Sequence, residues 1–202
     1  MARFIVWLVA FVTLFAVVTQ VSAEGYYSGR IPNAGSDGHN PALEIDAYTA
    51  YIQQTQHTVS PYTARRIATV AYWEARQAGI SPSLVLATMQ IESTFRINAK
   101  NSGCYGLLQV NYRAHRKEIW HVENEEGVKT MLNPDVNIRV GVSILKDCLE
   151  AANGNTVRGL LRYNGAVRWN PYPLKVLAAQ RRIRKYMVAY AYVEYQPSTA
   201  AA

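Results

Sequence analysis

Gln90-Ile91-Glu92-Ser93-Thr94-Phe95 places a single carboxylate at the end of an apolar run. Leu84, Thr88 and Glu92 recur every four residues, so on a helix they share one face and Glu92 extends a largely buried line. A carboxylate near a helix C-terminus is disfavoured by the helix dipole. A partly apolar setting disfavours the charged form again. Both effects push Glu92 towards its protonated form, which is the state a general acid requires. Ordinary glycoside hydrolysis needs a second carboxylate. The later acids are Glu118, Glu123, Glu125, Glu126, Asp135, Asp147 and Glu150. The first four read as a solvated polar cluster, and Asp135 as a first-turn residue that suits a helix N-terminus. None of them sits in a motif with chemistry of its own. By itself, Glu92 reads more readily as a surface or capping residue than as a catalyst.

The elements that would position Glu92 are helical. Ser60-Pro61 starts a helix that runs to about Gln77 and stops at Gly79, and Ser81-Pro82 repeats the start signal. Asn133-Pro134 starts a third helix. Its apolar stripe is Val136, Val140, Ile144, Leu145, Cys148 and Leu149. A further helix covers about Thr156 to Tyr163 and is capped by Asn164-Gly165. Pro171 or Pro173 opens a last long helix, whose basic run of Arg181, Arg182, Arg184 and Lys185 reads as a solvated face. There is almost no strand signal and no internal repeat.

At the N-terminus, Arg3 precedes an apolar run from Phe4 to Val18, broken only by Thr13 and followed by Val21-Ser22-Ala23. This is the pattern of a secretory signal peptide cleaved after Ala23; the alternative is an uncleaved anchor. Residues 24–45 are rich in Gly, Pro, Asn and Ser and read as a flexible lead-in. Residues 46–195 form one mainly α domain, and 196–202 a small-residue tail. Export places the chain in an oxidising compartment. An even count of two cysteines, Cys104 and Cys148, there suggests one disulfide, with two buried free thiols as the alternative. The net charge of +7 suggests an anionic partner, which for an exported protein means cell wall, acidic lipid or anionic glycan. Nucleic acid is excluded by the export signal and by the lack of any recognition motif. His115, Glu118, His121 and Glu123 do not make a metal site, because histidines six apart face different sides of a helix. No metal or other cofactor is expected.

Four ordered segments give Glu92 its context: Glu92-Ser93, Gly103-Cys104-Tyr105-Gly106-Leu107-Leu108-Gln109, Asn137-Ile138-Arg139-Val140-Gly141, and Tyr163-Asn164. In this order they resemble the lytic transglycosylase family, specifically the soluble lytic transglycosylase catalytic domain, over about residues 65–185. Cys104 and Arg162 stand where that family usually has Ala, and Leu108 where it usually has Met. The resemblance implies a lysozyme-like helical fold that cleaves the glycan strands of peptidoglycan. It implies Glu92 as the single catalytic acid/base, Gln109 and Leu108 lining the groove beside it, and Tyr163 hydrogen-bonding near the glutamate with Asn164 close by. Asn137 and Gly141 are implied to be architectural. Ser102 is only a candidate for a family serine in the loop after Glu92. With Cys104 in the groove-lining segment and Cys148 on the core face of a later helix, the two are expected to be joined. The implied reaction leaves a 1,6-anhydro end on N-acetylmuramic acid. A hydrolytic muramidase using Glu92 and water, and a non-catalytic wall-binding or secretion-assembly protein, stay open. So do the settings of wall turnover, a secretion or conjugation machine, and phage lysis. The membrane is expected to be touched only through the signal peptide, and the mature protein to lie in the periplasm or cell envelope.

Overall fold

The structure is a computed structural model that describes residues 40–120 and 127–194. The apolar run near the N-terminus, most of the lead-in and the C-terminal tail lie outside the described residues. Among those described, no helix is long and apolar enough to cross a membrane. The helices are α1 (Pro41–Thr55), α2 (Pro61–Gln77), α3 (Pro82–Ser93), α4 (Arg116–Trp120), α5 (Pro134–Glu150), α6 (Thr156–Tyr163) and α7 (Tyr172–Glu194). A 3-10 turn at Gly127–Leu132 precedes α5.

Four of these helices open with a polar residue followed by proline. Proline has no N–H to leave unpaired and its φ is already helical. Ser60 Oγ accepts from Thr63 N at 3.1 Å, and Asn133 Oδ1 accepts from Asp135 N at 3.0 Å. The same device at Asn40-Pro41 corrects the expected lead-in. Asn40 Oδ1 accepts from Ala42 N at 3.1 Å and Leu43 N at 3.3 Å, so the helical domain begins at Pro41 rather than after residue 45. The turn-rich composition upstream hid this start, although its signature matches Ser60-Pro61.

α3 is the axis of the core. Every residue from Pro82 to Met89 is buried, and the helix packs against α2 and α7. α1 closes over α2 and α7, and α5 over α2 and α6. Each fully buried Leu, Val or Met of α3 contributes roughly 1.5–3 kcal/mol by leaving water. At the surface, Arg66 on α2 holds Asp135 on α5 with Nε to Oδ1 at 2.8 Å and Nη2 to Oδ2 at 3.0 Å. Asp135 therefore serves as an inter-helix clamp as well as a first-turn charge.

Between α3 and α4 the chain makes a three-stranded antiparallel sheet, β1 (Lys100–Asn101), β2 (Cys104–Tyr105) and β3 (Val110–Asn111). Sequence reading found no strands because two-residue strands are too short to show a period of two. β2 carries the Gly-Cys-Tyr-Gly segment.

The fold brings α5 hard against that segment. A Cβ on Gly141 would stand 2.6 Å from Leu108 Cβ, an atom that cannot swing aside. Gly141→Ala is expected to cost about 1–3 kcal/mol, as overpacking does. Urea unfolding would check this, and an unchanged midpoint would show that the contact is soft.

Candidate active site

Glu92 lies in the last turn of α3, with Ser93 as the final helical residue. Ser93 is buried, and its Oγ donates to Met89 O at 3.1 Å or to Leu107 O at 2.8 Å. The helix then stops at Thr94 (φ 51°) and Phe95 (φ 60°), two consecutive left-handed residues of which neither is glycine. Such conformations cost about 1–3 kcal/mol each and persist where the surroundings impose them. Here Phe95 is fully buried, Thr94 N bonds to Gln90 O at 3.1 Å, and Gln56 Nε2 donates to Thr94 O at 3.2 Å. The turn fixes where α3 ends and so where the carboxylate stands. Thr94 is exposed and contributes its backbone, so Thr94→Gly is expected to stabilise the fold by about 0.5–1 kcal/mol. Thermal unfolding would read this, and a loss of stability would mean that the threonine side chain holds the turn.

The Glu92 carboxyl is held above the usual carboxylate range, because it is largely withdrawn from water. The Tyr172 hydroxyl opposes that shift by donating to Glu92 Oε1 at 2.5 Å. Burial, the Glu92 charge and this hydrogen bond in turn push the Tyr172 phenol up. Tyr172 opens α7 and is buried. Its N–H is fixed by Asn170 Oδ1 at 2.9 Å, and Asn170 Nδ2 donates to Asn164 Oδ1 at 2.9 Å. Sequence analysis missed Tyr172. The available signal was Pro171 and Pro173, which mark the start of a helix beneath a buried tyrosine.

Tyr163, expected near the glutamate, is within electrostatic reach of it. Burial, then the Glu92 charge, hold its phenol well above the usual range. Its hydroxyl donates to Leu108 O at 2.7 Å rather than to Glu92. Leu108 was expected on the groove wall. It is fully buried instead, its side chain pressed against Gly141 and its N–H bonded to Asn137 Oδ1 at 2.8 Å. Leucine in this place is therefore core. Asn137 is also fully buried, and its Nδ2 donates to Tyr105 O at 2.8 Å and Met131 O at 3.0 Å. One amide thus ties α5 to the residues on both sides of Gly106. A Cβ on Gly106 would stand 2.4 Å from that amide, and its φ of +75° favours glycine independently.

Gln109 does face the groove. Its amide nitrogen is tied to Gly106 O at 2.9 Å and Ala99 O at 3.2 Å. Asn164 is exposed at the end of α6 and works through Asn170. Ser102 is exposed on the β1–β2 turn and bonds to Asn101.

The expected disulfide is not formed, and Cys104 and Cys148 are separate thiols. Burial raises both, with the Glu92 charge adding to Cys104 and the Asp147 charge to Cys148. Burial of the thiolate form slows exchange at either sulfur. Of the four residues weighed as metal ligands, His115 and Glu118 approach to 3.9 Å, while His121 and Glu123 lie outside the described residues.

Glu92 opens onto a groove of about 820 Å³. One wall is Thr58–Thr63 at the start of α2, and the other is Arg96–Asn101 with Gln109. Among the described residues that line it, Glu92 is the one carboxylate. The arrangement is a partly desolvated acid, hydrogen-bonded from one side by a buried phenol and open to a polar groove on the other.

The family model described as Transglycosylase SLT domain matches residues 69–170, just over half of the 202-residue chain. Glu92, Gln109, Tyr163 and Asn164 fall inside the match, and Tyr172 lies just beyond it. Among solved structures, the chain is similar to the lytic transglycosylase Slt of Pseudomonas aeruginosa, determined as an inactive mutant. The TM-score is 0.47 and the identity 20%, over 78% of this chain. The chain spans 30% of the length of that protein. No curated protein matches it.

Proposed function

The chain belongs to the transglycosylase SLT domain family, and we propose that it cleaves the β-1,4 bond between N-acetylmuramic acid and N-acetylglucosamine in peptidoglycan, leaving a 1,6-anhydro end. The observation that carries this is the lone carboxylate. Paired-carboxylate glycosidases hold their two groups about 5–9.5 Å apart across the scissile bond. Here Glu92 is the one acid among the described residues of the groove.

A single carboxylate suffices if the substrate supplies the nucleophile. Glu92, whose protonated form is favoured by burial, gives its proton to the glycosidic oxygen as the C1–O bond breaks. The N-acetyl group of the muramic acid stabilises the positive charge at C1. Glu92, now a carboxylate that accepts from Tyr172, takes the proton of the C6 hydroxyl, and that oxygen bonds to C1. The acid ends protonated, as it began, and no water is consumed. Tyr172 is a positioning residue that also stabilises the carboxylate between the two proton transfers.

The pH dependence follows from the direction of the shift. Glu92 must carry its proton when substrate binds, so kcat/KM falls as pH rises through its raised pKa. Tyr172→Phe removes the influence that lowers this pKa. The alkaline limb of the pH profile is therefore expected at higher pH in that variant, with a lower plateau. A limb that stays in place would mean that Glu92 is not the group being titrated.

The deciding experiment is mass spectrometry of peptidoglycan digested by the purified protein. Fragments ending in 1,6-anhydro-N-acetylmuramic acid support the reading. Reducing-end fragments would move the reaction to hydrolysis on the same Glu92, and binding without fragments would leave a wall-binding protein. Such a substrate lies outside the cytoplasm, which agrees with the export signal read at the N-terminus. A location outside the cytoplasm, in the periplasm or cell envelope, is the setting we propose.

A further inference from the structure

The groove wall formed by residues 96–101 carries two cations, Arg96 and Lys100, both exposed. Arg96 Nε donates to Ser93 O at 3.0 Å, which anchors the guanidinium to the strained turn after α3. Neither side chain is paired with a carboxylate among the described residues. Nor do they serve as counter-ions of Glu92, whose proton affinity is governed by burial and by Tyr172. The rest of that wall and the facing one are uncharged: Asn98, Asn101, Ser60 and Thr63 are polar, and Val59, Ile97 and Ala99 apolar. The groove wall thus carries positive charge that no carboxylate among the described residues neutralises.

Peptidoglycan offers an anion in one place along an otherwise neutral strand. The lactyl ether of each muramic acid ends either in a free carboxylate or in a stem peptide that bears carboxylates. N-acetylglucosamine carries none. Arg presents a planar fork that matches a carboxylate, and Lys adds a point charge.

We infer that the Arg96–Lys100 wall is a subsite for a carboxylate carried on the lactyl side of the muramic acid, and that it sets which wall strands are cut. This rests on the proposed function, since it names what that groove reads besides the scissile bond. The contact is exposed, so its contribution falls as salt rises.

The test compares the wild-type protein with Arg96→Gln/Lys100→Gln on three ligands: peptide-bearing strands, strands stripped to the lactyl carboxylate by an amidase, and a neutral oligomer of N-acetylglucosamine. Cleavage is followed on the first two, and binding to all three is measured in a Glu92→Gln background. KM, and binding in that background, are expected to weaken about tenfold on a carboxylate-bearing ligand, as for loss of charge-assisted contacts. Binding of the neutral oligomer should be unchanged. Loss on peptide-bearing strands alone assigns the stem peptide, loss on stripped strands alone assigns the lactyl carboxylate, and loss on both assigns either anion. Equal loss on all three ligands, or no loss on any, overturns the subsite. If the wild-type protein cuts nothing, the proposed reaction fails, while the binding arm still decides whether the wall reads carboxylate.

Discussion

Glu92→Gln is expected to lower the rate of glycan cleavage by about 10²–10⁴-fold while making the fold more stable at neutral pH. The two effects share one cause. Burial raises the Glu92 pKa above its unfolded value, so the native state holds the proton more tightly than the unfolded chain. Stability associated with Glu92 is therefore fully present below the unfolded carboxylate range and is lost as pH rises through the raised pKa. At neutral pH the wild-type protein bears the cost of a partly buried charge, and glutamine, which can still accept from Tyr172, does not. Thermal unfolding of both proteins at neutral pH and in acid would show the variant ahead only at neutral pH. Liquid chromatography of digested wall would show the loss of products. Retained cleavage would remove Glu92 from the chemistry. Lost cleavage with lower stability at neutral pH would point to a structural role, and would contradict the burial argument.

Asn137→Ala is expected to cost about 3–5 kcal/mol, near the upper end for a single substitution. The side chain is fully buried and makes three hydrogen bonds, to Leu108 N, Tyr105 O and Met131 O. Truncation leaves those backbone groups buried without the amide that pairs them. It also frees the segment that holds Gln109 on the groove and receives the Tyr163 hydroxyl at Leu108 O. Asn137→Asp sharpens the test. It keeps an acceptor for Leu108 N but sets a carboxylate oxygen against two carbonyls, so its loss should be comparable. Chemical unfolding would measure both, and a cost below about 1 kcal/mol would show that the segment is held by packing alone.

Several features of the site were legible in the chain because they are local. The four-residue spacing of Leu84, Thr88 and Glu92 put the carboxylate on a buried face, and Leu84 and Thr88 are buried. Polar-proline pairs gave the starts of α2, α3 and α5. The same pair at Asn40-Pro41 was passed over because the composition before it favoured a loop. Asn137 and Gly141 were read as architectural, and their contacts with Leu108 give that reading its physical content.

What escaped was non-local. The exchange of roles between Tyr163 and Tyr172 is the clearest case. Tyr163 stands in a recognisable motif, Tyr172 does not, and only the packing of α7 on α3 decides which hydroxyl reaches Glu92. Leu108 was assigned to the groove from its place beside Gln109. Leu107 and Leu108 both turn inward after Gly106, and Gly141 leaves room for Leu108. The disulfide is a further non-local case: cysteine count and compartment bear on whether a bond is allowed, whereas the fold leaves Cys104 and Cys148 as separate thiols.

By itself, then, the sequence determined the helical class, the starts of the main helices, the acid at the end of α3 and the ordered motifs that identify the family. Those depend on period, capping and residue type within a few positions. The tertiary structure alone decided which phenol governs the acid, that one amide from α5 fixes the groove segment, and that the groove wall carries positive charge unpaired among the described residues. Each of these joins residues tens of positions apart, and hydrogen bonds and charges act through space, where separation along the chain carries no information.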